Sequence, residues 1–429
     1  MSRVCNLVRA ITEQEQIGYE SNAMRKDVVI IGGGLNGLTQ ALALGGYRCR
    51  QPLAVAVVDK ADPQRFANAS HDSRASALTS ATIAMLQAMG VWDEMALSTQ
   101  AMDKVIVTDA GVSQVRDSLL SFVAEHQMPA RFIENHTMFR GLLSAIAQSP
   151  NITLVTGQEI NGIDYGPGLA RVRLANGATI TANLVVGADG RNSLARTAAK
   201  IEVETWPYPQ SALTLTVGHE LPHGGQAEEH FHAHGVFAIL PLTGNRSSLV
   251  WTMPQDEAQA LCAMADDAFL TTLAAQFGSH RGKLALLSPR HAYPLAMILA
   301  KSMIGPRLAL IGDAAHVIHP LAGLGLNLGF KDVAALSEVV MDAQALGQDP
   351  GSSATLEAYA RWRRFDTQST AALMHGMHFL FANDHTSLRL MRQTGLKLID
   401  GLPAVKRVFE KEAAGLTGDL PRLMRGLAA

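Results

Sequence analysis

Charge is scarce in this chain. Only 17% of its 429 residues are Asp, Glu, Lys or Arg, against roughly 25% in ordinary soluble domains. The 36 basic and 38 acidic side chains nearly cancel, leaving a net charge of −2. That balance argues against a dedicated nucleic-acid binder, which carries a basic excess. Three cysteines, Cys5, Cys49 and Cys262, stand far apart, with no CxxC or metal-ligand spacing. An odd, sparse set fits a reducing compartment rather than a disulfide scaffold, so a cytoplasmic location is expected. Aromatics are few, at 5%. No run reaches the ~18 uninterrupted apolar residues of a spanning helix. Aliphatic material is abundant instead. Hydrophobic residues make up 48% of the chain, ample for a large core and contrary to extended disorder. At roughly 100–200 residues per domain, the length suggests two or three domains.

Residues 1–23 stand apart from the rest. They are mixed polar, without the ~7–15-residue apolar core of a signal peptide. Ser21-Asn22-Ala23 before Met24 resembles a cloning scar, and Met24 reads as a natural start. A native extension is the alternative.

Asp27 to Ile31 is an apolar, β-branched run, the pattern of a buried parallel strand. It leads into Gly32-Gly33-Gly34-Leu35-Asn36-Gly37, a G-x-G-x-x-G, and then a helical pattern from Leu38 to Leu44. In such a motif Gly32 permits the tight turn, Gly34 lets a pyrophosphate approach, and Gly37 lets helix and strand pack closely. The helix N-terminus offers free N–H groups to phosphate oxygens. A second apolar strand, Leu53 to Val58, ends in Asp59, 22 residues beyond Gly37. An acidic residue about 20 residues on is expected to bond the adenosine ribose. These features alone do not separate FAD from NAD.

Two later segments narrow the choice. Ala182 to Gly187 is another buried-strand pattern, and it continues as Ala188-Asp189-Gly190-Arg191-Asn192-Ser193-Leu194-Ala195-Arg196, a D-G-x-x-S-x-x-R. Arg307 to Ile311 runs into Gly312-Asp313-Ala314-Ala315-His316, followed by His319-Pro320-Leu321-Ala322-Gly323-Leu324-Gly325-Leu326-Asn327 and a helix pattern to about Ala345. With the GxGxxG, the DG and the GD motifs in this order, residues 24–429 resemble the class A flavoprotein aromatic hydroxylases. The stretch from His319 to Leu336, and the C-terminal part from Tyr359 through Asp384 to Leu416, are similar to the ubiquinone-biosynthesis hydroxylases, the group that includes UbiH, UbiF, VisC and Coq6. One departure stands out: Leu324 occupies the place where the group usually has Gln.

The resemblance implies an FAD cofactor and a set of residues around it. Asp313 is expected to bond the flavin's ribityl chain. Pro320, Gly323, Gly325, Leu326 and Asn327 would bring a helix N-terminus, which favours negative charge, to the flavin's pyrimidine edge. Arg74 matches a flavin-proximal arginine, and Asn135 an amide near the flavin phosphates. For Asp189 two readings stay open: a residue near the cofactor, or a turn and helix cap. Arg74 has the alternative of a surface salt bridge.

The expected architecture is α/β. A discontinuous Rossmann-like FAD-binding domain (24–98, 128–200 and 288–345) carries an inserted antiparallel-sheet substrate domain (99–127 and 201–287). A helical C-terminal region follows (346–429). Strand patterns at Ser211–Gly218, Phe231–Pro241 and Ser247–Met253 support the sheet. His230, His232 and His234 alternate, so on a strand they share one face. No acidic or cysteine partner stands at ligand spacing, so no metal is expected. His234 is instead a candidate for the substrate pocket, while His316 and His319 read as structural. Arg361 to Arg364 and the basic tail (Lys406, Arg407, Lys411, Arg422, Arg425) suit either a solvated face or peripheral adhesion to anionic lipid on the inner face of the membrane.

The resemblance also implies the reaction. NAD(P)H or another reductant reduces FAD, reduced flavin and O2 give a C4a-hydroperoxide, and its distal oxygen attacks a prenylated phenol ring. Aliphatic side chains and 17 methionines suit a pocket for a flexible prenyl chain. Assembly in a biosynthetic complex is also implied. The other readings kept open are a hydroxylase of a soluble aromatic, a flavin reductase of prenyl lipids, and a flavoprotein subunit without turnover.

Overall fold

The computed structural model describes residues 23–68, 74–109, 118–123, 130–232, 235–318, 323, 325–381 and 414–428. Residues 1–22, His234, the segment His319–Ala322, Leu324 and the stretch 382–413 lie outside the described residues.

Five strands build a parallel sheet: Ala23–Ile31, Val55–Asp59, Ile152–Thr156, Thr179–Gly187 and Leu308–Leu310. Numbered along the chain, they lie side by side in the order 3-2-1-4-5. The order reverses between the first and fourth strands, where doubly wound sheets bind dinucleotides. Both faces of the sheet are covered, which explains the near-continuous apolar runs in the sequence. Side chains alternate across a strand. Val28 and Ile30 accordingly pack with the helices Leu35–Gly45 and Gly325–Ala345. Val29 and Ile31 pack with the strands Ile160–Tyr165 and Ala170–Leu174. Each of these four side chains is almost fully buried, so the helices cover one core and the small hairpin a second, on opposite faces of the sheet.

A second sheet has nine strands and is largely antiparallel. Its centre is Val203–His219, flanked by Arg246–Pro254 and His291–Ala300. The expected strand Phe231–Pro241 is in fact two, Gln226–His232 and Gly235–Leu242, paired antiparallel. The helices Gln255–Ala263 and Asp266–Phe277 cover one face through Leu213, Leu215, Phe237, Phe269 and Phe277. The opposite face turns toward the first domain, where Phe231, Leu295 and Met297 meet Ile318 and Leu328. Residues 291–300, expected on the FAD side of a boundary at 288, belong by pairing to this second sheet. Their alternation did not separate them from a buried parallel strand.

The C-terminal region holds the helix Ser353–Phe381 and a returning segment, 414–428, that ends in a short 3-10 turn at Arg422–Arg425. Among the described residues, no helix is long and apolar enough to cross a membrane.

Candidate functional site

The glycine motif sits at the C-terminal edge of the parallel sheet. Gly32 has φ +106°, and a side chain there would collide with the carbonyl of Ala188, at the start of the DG motif. A side chain at Gly37 would run into the carbonyl of Gly32. Both glycines are therefore demanded by chain packing. Gly34 differs: a Cβ there would meet nothing within 4 Å. Its open flank at the start of the helix leaves room for a pyrophosphate to approach. Asp59 Oδ2 accepts from the Gly33 N–H at 2.6 Å, and its Oδ1 accepts from the Ala61 N–H at 2.7 Å. Asp59 thus holds the loop in shape. A carboxylate has about four lone-pair sites, so capacity for a ribose hydroxyl remains.

Asn36 carries a role that sequence reasoning did not assign. Added side chains at Gly312 of the GD motif and at Gly329 of the helix Gly325–Ala345 would both strike its amide. Asn36 Oδ1 is buried and has no hydrogen-bond partner among the described residues. Three motifs distant in sequence therefore converge on one amide. The two glycines were the only available signal, and each could equally have been a turn residue.

The DG and GD motifs are tied together. Asp189 Oδ1 accepts from Ser193 Oγ at 2.5 Å, and Oδ2 accepts from the N–H groups of Leu194 and Ala195. These bonds cap the short helix Leu194–Ala198, so the turn-and-cap reading describes what the Asp189 carboxylate does here. Arg196, the last residue of the motif, is buried. It donates from Nη1 to the Ala314 carbonyl at 2.8 Å and from Nη2 to the Arg191 carbonyl at 2.7 Å.

Asp313, within the GD turn, is exposed to solvent although protein crowds around its carboxyl. That crowding pushes its carboxyl up from the usual aspartate range, opposed by the positive charge of His316, Arg191 and Arg74. The sequence-based candidates Arg74 and Asp313 are thus close enough to interact. Asn135 joins them: its N–H donates to the Arg74 carbonyl at 3.2 Å, and its Oδ1 accepts from Ser76 Oγ at 2.8 Å.

Gly323 has φ +61°, and Gly325, Leu326 and Asn327 open the helix Gly325–Ala345. The side chain of Asn327 is engaged by the protein. Nδ2 donates to the Ala77 carbonyl at 2.7 Å, while Oδ1 accepts from the Thr79 N–H at 3.0 Å and from Thr82 Oγ1 at 2.8 Å. What remains for a cofactor at this position is the backbone N–H and the second hydrogen of Nδ2. Pro320 and Leu324 lie outside the described residues, as does His234.

The other two histidines face away from this crevice. His230 Nε2 bonds Glu228 Oε2 at 3.1 Å, and His232 Nε2 pairs with Gln276 Nε2 on the covering helix. Glu228 also bonds Arg281 and His280. The acidic partner that the sequence had not revealed is therefore Glu228, two residues before His230 on the same face. Among the described residues, no group of three or more His, Cys, Asp or Glu is placed to hold a metal.

The residues present fit FAD. A glycine loop with an open flank at Gly34, the Asp59 carboxylate, Asp313 within the field of Arg74, and the N-terminus of the helix Gly325–Ala345 come together at the sheet's switch point. The comparisons agree. The sequence profile of the FAD binding domain family matches residues 25–371. The chain is 38% identical over 406 residues to the ubiquinone hydroxylase UbiL of Rhodospirillum rubrum, covering 94% of this chain and 93% of that one. It is 34% identical over 394 residues to the 3-demethoxyubiquinol 3-hydroxylase of Escherichia coli, covering 91% and 98%. Its fold is similar to the crystal structure of p-nitrophenol 4-monooxygenase PnpA from Pseudomonas putida, with a TM-score of 0.76 at 17% identity, covering 92% and 98%. The chain belongs to the FAD-binding flavoprotein monooxygenase family, within the group that holds the ubiquinone-biosynthesis hydroxylases.

Proposed function

We propose that this monooxygenase hydroxylates the ring of a polyprenyl phenol in ubiquinone biosynthesis. The observation that carries the reading is the apolar cluster between the second sheet and the FAD-binding domain. Trp206, Val250, Phe231, Leu295 and Met297 of the sheet meet Ile318 and Leu328 there. Aromatic rings among flexible aliphatic side chains suit a ring that carries an isoprenoid chain. The names of the full-length relatives supply the same substrate class.

Bound FAD supplies two-electron reduction by NAD(P)H or another donor, and activation of dioxygen for transfer of one oxygen atom to the ring. The protein's part is to hold and to shield. Asp59 and the open flank of Gly34 receive the ribose and pyrophosphate. Asp313, Arg74 and Asn135 hold the middle of the cofactor. The N-terminus of the helix Gly325–Ala345 favours negative charge placed against it. The apolar cluster keeps the phenol close and water out, which protects the transferred oxygen from loss as hydrogen peroxide.

The substrate is membrane-dissolved, and the outer face of the helix Ser353–Phe381 provides the membrane contact. Phe365 is 78% and Leu373 45% exposed there, just beyond the exposed arginines Arg361 and Arg364. Apolar tips next to arginine suit shallow insertion among anionic headgroups. Deletion of the gene, followed by mass spectrometry of the quinone intermediates, tests the function. Accumulation of a prenylated phenol lacking one ring hydroxyl is expected. An unchanged intermediate pool contradicts it.

A further inference from the structure

We propose that the returning C-terminal segment, together with Arg363, is a brace that sets the position of the two chain segments facing the flavin, and so acts as a positioning element for FAD. The inference rests on FAD occupying the crevice described above.

The first arm of the brace runs to the GD turn. Asp332 is fully buried in the helix Gly325–Ala345. Its Oδ2 accepts from the Gly312 N–H at 3.0 Å and from His316 Nε2 at 2.6 Å. One carboxylate thus grips the turn on both sides of Asp313. Its other oxygen accepts from Arg363 Nε at 2.8 Å, and Arg363 is equally buried. A buried ion pair is weak evidence of stabilisation, since apolar side chains of the same size often serve as well. What such a pair supplies is geometry: removing either member leaves an uncompensated charge. Tyr359, one turn before Arg363, donates from its hydroxyl to the Leu310 carbonyl at 2.8 Å, just ahead of the turn. The chain of bonds continues outward. Arg363 Nη1 bonds Asp366 Oδ2 at 2.6 Å, Lys331 Nζ bonds the same oxygen at 2.6 Å, and Lys331 reaches the Thr417 carbonyl at 3.4 Å.

The second arm runs to the helix start. The Ala81 N–H donates to the Ala414 carbonyl at 3.3 Å. A side chain at Gly415 would press on Thr79 Oγ1 at 2.8 Å. Thr79 and Thr82 are the residues that hold the Asn327 amide. Arg422 then fastens the segment to Glu338 and Asp342 of the same helix. The segment 414–428 therefore backs both flavin-facing elements while lying outside the crevice. It follows that removing the C-terminus disturbs cofactor binding as well as any membrane contact.

The test measures FAD affinity of the full-length apoprotein by flavin fluorescence titration, beside apoprotein melting and the visible spectrum of bound flavin. Asp366→Asn and Lys331→Met act on the partly exposed outer links. Each is expected to raise the FAD dissociation constant roughly 10-fold or more, the range that outer-shell partners command at metal sites. Bound flavin should change its absorption envelope, with little change in apoprotein melting. Arg363→Lys, which keeps a cation at Asp332, should recover most of the affinity that Arg363→Met loses. If Arg363→Met does not fold, Asp366→Asn decides. Unchanged dissociation constants in the outer-link variants overturn the brace, as does affinity that falls only in step with melting. A wild-type protein that takes up no FAD overturns the cofactor assignment itself, so the two failures are distinguishable.

Discussion

Arg196 Nη1 donates to the Ala314 carbonyl at 2.8 Å, which joins the DG motif to the GD motif across 118 residues of sequence. Through its second bond, to the Arg191 carbonyl, one buried guanidinium fixes the spacing between two loops at the crevice. Replacing Arg196 with Met leaves the buried Ala314 carbonyl unpaired, at about 1–3 kcal/mol, and releases the Arg191 carbonyl. A fall in apoprotein melting temperature together with weaker FAD retention is the expected outcome. Wild-type melting and retention would show that the clamp is dispensable.

Gly34 and Gly37 should respond differently to the same substitution. Gly37→Ala drives a methyl into the Gly32 carbonyl, whereas Gly34→Ala places it in open space. The first variant is expected to lose folded yield. The second should fold normally and lose FAD, because its methyl occupies the pyrophosphate's approach. Circular dichroism and flavin content of the two purified variants separate the effects. Equal behaviour would refute the assignment of roles.

Asp59→Ala removes the acceptor for the Gly33 N–H. A hydrogen bond to a charged group is worth about 1.5–3 kcal/mol, so FAD affinity should drop roughly 10- to 100-fold. Equilibrium titration of the apoprotein checks this. Affinity within twofold of wild type would remove Asp59 from the cofactor site.

Asp313 has its carboxyl raised by the surrounding protein. A raised carboxyl means that the folded chain prefers the neutral form. That preference contributes stability at low pH and is lost as pH rises through the folded value. Asp313→Asn, permanently neutral, should therefore make the apoprotein relatively more stable than wild type at neutral and alkaline pH. It should also keep more FAD than Asp313→Ala, since an amide can still bond a hydroxyl. A melting difference that is flat across pH 4 to 8 would count against the raised carboxyl.

The proposed membrane contact is best tested at a point. Phe365→Ser alters an exposed side chain without touching the Arg363–Asp332 pair. Flotation with anionic vesicles should show reduced binding and unchanged flavin content. Full binding by Phe365→Ser would move the contact elsewhere.

Much of the cofactor half was legible in the sequence because its signals are local. Strand, Gly32, Gly34, Gly37 and Asp59 fall within a single βαβ unit, and each residue type follows from one backbone requirement. The fold class followed from three strands ending in glycine or aspartate. The rest was hidden for physical reasons. Asn36, Arg196 and Asp332 act through contacts over long sequence separations, which no periodicity records. Asn327 has the right type for a cofactor ligand, yet its amide is engaged by Ala77, Thr79 and Thr82. His230 and His232 share a face, as alternation requires, but which face meets the crevice depends on how the helix Asp266–Phe277 packs. The aliphatic surplus that stood out beside the scarce charge divides between two covered sheets and the apolar cluster between them.

The central claim is oxygen transfer to a prenylated phenol, and isotope-labelled dioxygen tests it most directly. The FAD-loaded enzyme would be given an electron donor, labelled dioxygen, and either a prenylated phenol or its unprenylated parent. The account predicts a ring-hydroxylated product from the prenylated phenol carrying one labelled oxygen, with little product from the parent. Electron-donor consumption that yields only hydrogen peroxide with both compounds, or equal hydroxylation of the two, would contradict it.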